Sequence, residues 1–312
     1  MLNKKTNKKK YSKDILKENL ELYAIMLPVI ILIFIFCYIP LYGLVIAFQN
    51  YVPGDPFLAF DGSTQWVGLK HFIKFINGKY FTRLLSNTFL LSFYNIAIGF
   101  WIPIVFALLI NEIHKLKFKK FVQTASYLPY FISSVVVAGM VLSFIQPDGL
   151  INNILAMFGV ERQAYNMNAS YFPFIYTFTN IWKSFGWNSI LYLSAMAAID
   201  PALYESARLD GASRMQHIRY ITIPCIMPTI SIMLIMAVGG VLSSNTDLIL
   251  LLYNPAVYQT ADVIGTYIYR DGIENGNFSF ASAVGVFTSV INFILVFIAN
   301  KISNKLTNNG LW

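Results

Sequence analysis

The sequence predicts an all-α protein that crosses a membrane six times. Only 12% of its 312 residues are charged and 56% are hydrophobic, whereas soluble proteins carry about 25% charged residues. Six intervals free of Asp, Glu, Lys and Arg are each long enough for the roughly 20 residues that a spanning helix needs. Lysines and arginines cluster at the ends of these intervals, so the net charge of +8 indicates membrane topology and not a nucleic-acid partner.

The six intervals, taken in order, are the predicted spans. They are 22–54, 84–111, 121–147, 163–182 continued by 184–199, 220–246 and 275–300. Prolines inside them predict kinks, which membrane helices tolerate when neighbours satisfy the freed carbonyls; these are Pro28, Pro40, Pro103 and Pro129. The apolar stretch after the basic residues 1–20 is too long for a signal-peptide core and lacks a small-residue cleavage site, so we expect no cleaved signal.

The basic side chains also predict the orientation. Seven lysines precede the first span, four follow the second, three arginines follow the fourth and two lysines follow the sixth. These 16 of the 23 Lys and Arg residues fall on one side if six helices alternate. Because cytoplasmic loops carry the excess of basic residues, we expect both termini and residues 200–228 in the cytoplasm.

The expected organisation is a basic cytoplasmic tail (1–20), a first span with an outside loop (21–80), a core of five spans (81–300) and a C-terminal cytoplasmic tail (301–312). The other long outside segments are 147–170 and 247–274. The apolar run 248–252 is too short to span and is expected to form an interfacial or re-entrant helix. A seventh span there would place the C-terminal lysines outside, against the charge rule.

Catalytic and metal-binding patterns are missing from the sequence. The two cysteines, Cys37 and Cys225, lie far apart, and the three histidines are scattered without metal-ligand spacing. Gly78-Lys79 is followed by Tyr80 and lacks the upstream glycine of a phosphate-binding loop. We therefore expect neither a catalytic residue nor a bound cofactor or metal, and any ATPase must be another polypeptide.

Residues 200–228 form the longest polar segment between two apolar ones in the second half of the chain. Asp200 precedes a proline and is typical of a helix N-cap, and Gly211 suits a left-handed C-terminal cap. Ser213 and Gln216 form a capping box that begins a second helix, which we expect to end before Pro224. The segment is therefore predicted to be a helix–turn–helix outside the apolar phase.

This segment resembles the EAA loop of the membrane permeases of binding-protein-dependent ABC importers, which have the MetI-like fold. The matching residues are Glu205, Ala207, Asp210, Gly211, Ala212, Ile221, Pro224 and Pro228. Three positions depart conservatively: Ser206 replaces the usual alanine, Ile218 a frequent phenylalanine and Ile223 the usual leucine. The resemblance implies that the loop docks into a cleft of the ATPase subunit. The resemblance implies that the residues that couple this chain to the ATPase are Glu205, Ser206, Ala207, Asp210, Gly211 and Ala212.

The resemblance extends over nearly the whole chain and is to the LplB-like branch of carbohydrate permeases. The segments that carry it are 38–48, 66–69, 121–129, 252–258 and 310–312. It implies a second permease subunit, commonly a different chain, and two ATPase subunits that use ATP and Mg. It also implies an extracytoplasmic solute-binding protein and an oligosaccharide substrate. The sequence leaves the identity of the sugar open.

Two short stretches are candidates for a sugar pathway because sugars are held by aromatic faces and amide hydrogen bonds. The candidate residues are Asn180, Trp182, Lys183, Trp187, Asn188, Ser243, Ser244 and Asn245. Helix packing or an interfacial aromatic belt would equally explain each one. Lys183 either faces a cavity or a partner carboxylate at membrane depth, or extends to the outer interface.

Three other functions are weighed against a carbohydrate importer. A secondary transporter or channel would use Lys183 with a buried carboxylate, although no internal repeat supports an inverted-repeat fold. A membrane enzyme of glycan metabolism would need clustered carboxylates or histidines, which the sequence does not show. An ABC permease for a non-sugar solute would carry the same loop, so only the resemblance to the carbohydrate branch argues for sugars.

Overall fold

The computed structural model describes residues 13–58, 64–307 and 310–311, and these residues are predominantly helical. The α-helices are α1 Lys13–Ile33, α2 Lys70–Ile76, α3 Phe81–Tyr94, α4 Trp101–Asn111, α5 Leu116–Phe131, α6 Ser134–Ile145, α7 Leu150–Met157, α8 Phe172–Ala197, α9 Pro201–Leu209, α10 Arg214–His217, α11 Ile223–Gly239, α12 Thr246–Leu252, α13 Tyr258–Ala261, α14 Ile264–Ile268 and α15 Phe278–Thr307. The π-helical segments are Phe34–Tyr38, Asn95–Gly99, Ile218–Thr222 and Tyr269–Glu274, and the 3-10 segments are Ile39–Phe48, Tyr165–Met167 and Pro255–Val257.

Within the described residues, five helical stretches are long and apolar enough to cross a membrane. They are Asn19–Phe48, Phe81–Asn111, Ser134–Met157, Arg214–Gly239 and Phe278–Lys305. Each corresponds to one predicted span. The fourth predicted span corresponds to α8, which is 26 residues long but falls short in apolarity because it carries Lys183 and two asparagines. The chain is thus a helical, multi-pass membrane protein.

The helix that enters the first span begins before the predicted span. α1 starts at Lys13, so part of the expected basic tail is helical; residues 1–12 lie outside the described part of the chain, as do residues 308, 309 and 312 of the expected C-terminal tail. Large apolar side chains of α1 are exposed, from Leu20 to Leu32, and therefore suit contact with lipid. The 3-10 segment that follows packs against α15.

The third predicted span is not one continuous helix. α5 ends at Phe131 and α6 begins at Ser134, with Ile132 and Ser133 in extended conformation between them. The Ser133 hydroxyl accepts a hydrogen bond from the Val136 amide at 3.3 Å and so caps the new helix. The sequence predicted only a kink at Pro129 in this span, whereas the structure has a full break three residues later, because this local cap competes with helix continuation.

The helix that begins at Ser213 does not end before Pro224, as the sequence predicted. α10 continues through the π-helical segment Ile218–Thr222 directly into α11, which carries Pro224 in its first turn. Proline normally breaks a helix because it lacks an N–H and its ring collides with a carbonyl one turn earlier. The wider π turn lies where this collision would occur, so the helix continues.

Three apolar clusters form the core, and α8 contributes to two of them. One joins α8 to α4 and α11: Phe100, Ile104, Ala107, Tyr192, Met196, Ile226 and Ile230. Another joins α8 to α6 and α12: Leu91, Ala138, Phe172, Tyr176, Leu248, Ile249, Leu252, Val257, Ala261 and Val263. The third joins α2, α3 and α15: Phe75, Leu84, Leu242, Ile264, Phe280 and Val284. The run 248–252 is therefore a short buried helix, and α8 is central to the bundle.

Gly186 allows α5 and α8 to approach closely, because a Cβ at this position would overlap the backbone carbonyl of Ser126. We expect Gly186→Ala to destabilise the protein by about 1–3 kcal/mol and to lower its thermal midpoint in detergent. The matched control is Gly139→Ala, since a Cβ at Gly139 in α6 would meet open space. Equal midpoints for the two variants would contradict the close α5–α8 contact.

Candidate functional site

A cavity of about 410 Å³, lined by both polar and apolar side chains, lies between α3, α4, α8, α11 and the loop before α12. Five of the eight residues predicted for a sugar pathway line this cavity: Asn180, Asn188, Ser243, Ser244 and Asn245. The two stretches that carry them are separated by α9, α10 and α11 in the chain. The fold thus brings together side chains that the sequence could only suggest separately.

Hydrogen bonds between amides connect three elements around the cavity. Asn180 donates to the side-chain oxygen of Asn95 at 2.7 Å, and Asn245 donates to that of Asn180 at 3.1 Å. At one end, Asn95 donates to the carbonyl of Leu91 at 2.8 Å. At the other, the Asn245 N–H donates to the Tyr176 hydroxyl at 3.1 Å. This uncharged series orients donors and acceptors along the cavity wall.

Helical spacing explains how α8 presents its polar side chains. Asn180, Ser184 and Asn188 are four residues apart, so they lie along one face of the helix, and all three line the cavity. From the loop after α11, Ser243 accepts a hydrogen bond from Asn292 at 2.9 Å. The buried Ser244 hydroxyl has no partner among the described residues, and it remains free to bond a molecule in the cavity.

The other three predicted pathway residues lie on other faces of α8. Trp182 lines an apolar groove together with Phe178 and Phe185. The Lys183 ammonium donates to the Ser134 hydroxyl at 2.9 Å, at the break between α5 and α6. Trp187 stacks on Tyr130 with ring centroids 4.7 Å apart and planes 5° apart. Within this chain, Lys183 thus bonds a hydroxyl on a side of α8 that does not line the cavity.

Sequence reasoning missed several residues that line the same cavity, among them Ser92, Asn95, Tyr176 and Tyr192. Asn95 lies inside an apolar predicted span, where a polar side chain is costly and generally faces the bundle interior. That position was the signal that could have found it. The tyrosines gave no such signal, because aromatic residues in a membrane helix are equally common in packed cores.

The 200–228 segment has the predicted caps. Asp200 accepts a hydrogen bond from the Ala202 amide at 2.9 Å, at the start of α9. Gly211 has φ +75°, the left-handed conformation that suits glycine. Ser213 and Gln216 form both hydrogen bonds of the capping box. The sequence therefore correctly predicted the helix–turn–helix, apart from its continuation through Pro224.

α9 stands away from the helical bundle. None of its residues is buried, and Leu209 is 90% exposed. Between α9 and the end of α4 lies a cleft of about 490 Å³ lined by residues of both signs of charge: Glu112, His114, Glu205, Arg208, Arg214 and His217. An exposed short helix beside a charged cleft is a surface that another protein can bind.

The six residues assigned to coupling occupy the surface of this projection. Glu205 and Ala212 line the cleft, and the Ser206 hydroxyl is satisfied within α9 by the Ala202 carbonyl at 2.9 Å. Ala207 is half-buried, and its carbonyl accepts the Ala212 amide at 2.9 Å, which closes the turn. Asp210 and Gly211 are exposed at the same turn.

A charged cluster that the sequence did not predict joins α3 to the segment before α15. The fully buried Asp262 accepts from Arg83 at 2.8 Å and from Arg270 through both oxygens at 3.0 and 2.9 Å. The Thr266 hydroxyl donates to Asp262 at 2.9 Å. Burial lowers the pKa of Arg270, but the hydrogen bonds and charge of Asp262 outweigh it, so that pKa lies above its ordinary value. The cluster fixes the chain around α13 and α14.

A multi-pass helical protein with a polar cavity between its helices and a projecting helix–turn–helix is of the transport-permease class. The family model for the inner-membrane component of binding-protein-dependent transport systems matches residues 99–308. That range contains α8, most of the cavity wall and the whole 200–228 segment. The chain belongs to this family, and it is an ABC transporter permease.

Its relatives include two proteins of Bacillus subtilis. The polygalacturonan/rhamnogalacturonan transport system permease protein YteP is 41% identical over 93% of this chain and 90% of its own length. Protein LplB is 36% identical over 95% of this chain and 92% of its own length. Both relatives confirm the resemblance to the LplB-like branch.

The fold is also that of a solved transporter. This chain resembles a chain in the crystal structure of a bacterial alginate ABC transporter in complex with an alginate pentasaccharide-bound periplasmic protein. The TM-score is 0.84 and the identity 42%, with 96% of this chain and 99% of that chain covered.

Proposed function

We propose that this chain is the membrane-spanning permease subunit of an ABC importer that carries an oligosaccharide. The observation that supports this most strongly is its likeness, over nearly its whole length, to permeases for polygalacturonan or rhamnogalacturonan and for alginate. The cavity agrees with such a substrate, because amides and hydroxyls around it match the hydrogen-bonding pattern of sugar hydroxyls. A non-sugar solute is the alternative that the fold alone permits.

In the proposed topology α8 is the fourth of six spans, and residues 200–228 lie in the cytoplasm with both termini. The distribution of lysines and arginines supports this orientation. α8 lacks apolarity because it contributes amides to a cavity, and such side chains are tolerated when they face the bundle interior. The chain would lie in the bacterial plasma membrane.

The proposed assembly contains a second permease subunit, of a different chain, and two ATPase subunits that consume ATP with Mg. An extracytoplasmic binding protein would deliver the sugar. The exposed α9 and its charged cleft support an ATPase contact, and the alginate transporter structure includes a periplasmic binding protein. Glu205 would make polar or ionic contacts with the ATPase, the small side chain of Ala207 would keep the docking face thin, and Gly211 would provide the turn.

The 200–228 segment connects α8 directly to α11, and both helices line the cavity. A movement of α9 would therefore reach two cavity walls at once. This arrangement supports an alternating-access mechanism in which ATP-driven closure of the ATPases reorients the helices around the sugar. The secondary-transporter alternative needs a carboxylate beside Lys183, and the Lys183 ammonium instead bonds the hydroxyl of Ser134.

The experiment that tests this proposal is a mild-detergent purification of the tagged chain expressed with its chromosomal neighbours. We expect a second permease and an ATPase to co-purify, with ATPase activity stimulated by a binding protein loaded with oligosaccharide. A chain that purifies without an ATPase would argue for an ATPase-independent transporter. Stimulation by a non-sugar solute alone would overturn the carbohydrate assignment.

We expect Asn180→Ala to weaken transport by about tenfold, because it removes the central member of the amide series together with its hydrogen bonds to the Asn95 side-chain oxygen and the Asn245 side-chain amide. The measurement is uptake of radiolabelled oligosaccharide into proteoliposomes. The matched control is Asn153→Ala. The Asn153 side chain donates an exposed hydrogen bond to the carbonyl of Asp148, and Asn153 does not line the cavity. Normal uptake by Asn180→Ala would remove this series from the sugar pathway.

A further inference from the structure

Lys183 and Trp187 occupy a face of α8 beside the cavity-lining face. They are four residues apart and so lie along one side of the helix. Their neighbours Ser184 and Asn188 line the cavity. Both side chains point toward the break between α5 and α6, where Lys183 bonds Ser134 and Trp187 stacks on Tyr130. A positive charge and an aromatic surface thus adjoin the proposed sugar pathway.

Lys183 has no counter-ion on the helices around it. The sequences of α3, α4, α5, α6, α8 and α11 contain neither aspartate nor glutamate. The ion pairs formed within the described residues involve Arg83, Arg162 and Arg270. Lys183 lies near the middle of a 26-residue helix, and its hydrogen-bond partner is a neutral hydroxyl. A cation at such a depth is usually paired with an anion.

The aromatic surface beside Lys183 is flat and accessible. Trp187 and Tyr130 stack in parallel, and Phe131 meets the Trp187 ring edge-on at 5.5 Å between centroids. The exposed fractions of Trp187, Tyr130 and Phe131 are 40, 41 and 68%. An exposed stack of this kind offers a large apolar area at low conformational-entropy cost, and the apolar face of a sugar ring fits it.

We propose that Lys183 with the Trp187–Tyr130 stack forms a subsite for a carboxylate-bearing sugar unit, a uronate, of the transported oligosaccharide. The ring packs on the aromatic side chains, and the carboxylate pairs with the Lys183 ammonium. This inference rests on the proposed carbohydrate function and narrows it to acidic substrates. A carboxylate from the second permease would pair with the lysine equally well, but it would not use the aromatic stack or the adjoining amides.

The test uses the complete transporter in proteoliposomes with its ATPases, second permease and binding protein. The probes are galacturonate and alginate trimers, each as the free acid and as the neutral methyl ester. We expect Lys183→Gln to reduce uptake of the acid trimer at least tenfold relative to wild type and to leave the ester within twofold. Lys183→Arg should retain the preference for the acid. Trp187→Ala should reduce uptake of both the acid and the ester, whereas Trp187→Phe should leave uptake of both at the wild-type level.

Three results would overturn the subsite. Lys183→Gln with unchanged uptake of the acid would place the lysine off the pathway. Equal losses for acid and ester, together with loss of the second permease on purification, would show that Lys183 pairs with a partner carboxylate. Wild-type uptake of the ester alone would exclude an acidic substrate. The proposed function itself fails differently, through a wild-type complex that imports neither form or lacks an ATPase.

Discussion

Gly211→Val is expected to lower oligosaccharide uptake more than tenfold while the protein still inserts in the membrane. Gly211 has φ +75° and exposed surroundings, so the change creates backbone strain and no collision within the bundle. A left-handed conformation costs an L-residue about 1–2 kcal/mol, and more when the side chain is β-branched. The turn would open, and the orientation of α9 would change. In the proposed function, α9 in its new orientation would no longer fit the ATPase.

The measurement is uptake and binding-protein-stimulated ATPase activity in proteoliposomes, with membrane content checked by immunoblotting. The matched control is Gly211→Asn, because asparagine tolerates the left-handed region and should keep most of the activity. A second variant, Glu205→Lys, places a third positive charge beside Arg208 and Arg214 in the cleft and should also uncouple transport. Normal uptake by both Gly211→Val and Glu205→Lys would exclude the coupling role of this segment.

Asp262→Leu is expected to produce a large loss of stability. Asp262 is fully buried, and its side chain holds two arginines and a threonine hydroxyl. Removing one partner of a buried charge network costs about 3–5 kcal/mol, and Arg83 and Arg270 would be left facing each other. Because the arginines are 33 and 23% exposed, solvent screens part of this repulsion, and we expect about 3 kcal/mol.

The loss is measured as the thermal midpoint of the detergent-solubilised chain by fluorescence-detected size exclusion. The control for charge imbalance is the triple variant Arg83→Met, Asp262→Leu and Arg270→Met, since replacing a whole buried ionic network by apolar groups is often neutral. We expect the triple variant to recover most of the midpoint lost by the single one. A single variant with a wild-type midpoint would show that the network contributes little to stability.

The features that the sequence predicted well are those set by neighbouring residues. The caps at Asp200 and Ser213 and the turn at Gly211 depend on residues at most five positions apart, and all three are present in the structure. Five of the predicted spans likewise follow from composition over about 20 residues. The coupling role of the segment remains a prediction, since geometry alone does not test it.

The features that the sequence missed depend on residues distant along the chain or on competition between neighbouring structures. Arg83 and Asp262 are 179 residues apart, and no periodicity links them. Asn95 and Asn180 are joined in the same way across 85 residues. The break after Phe131 and the continuation through Pro224 were missed because each has a local alternative, a serine cap or a π turn, that overrides the usual rule.

The polar character of α8 has a consequence for how the protein is made. Segments with asparagines and a lysine near their centre enter the bilayer poorly by themselves. The partners of Asn180 are synthesised at different times: Asn95 precedes it, whereas Asn245 follows it by 65 residues. α8 therefore has its full set of hydrogen bonds only after α11 has emerged from the ribosome. The same side chains that would bind sugar thus make biogenesis of this protein dependent on the order in which its helices assemble.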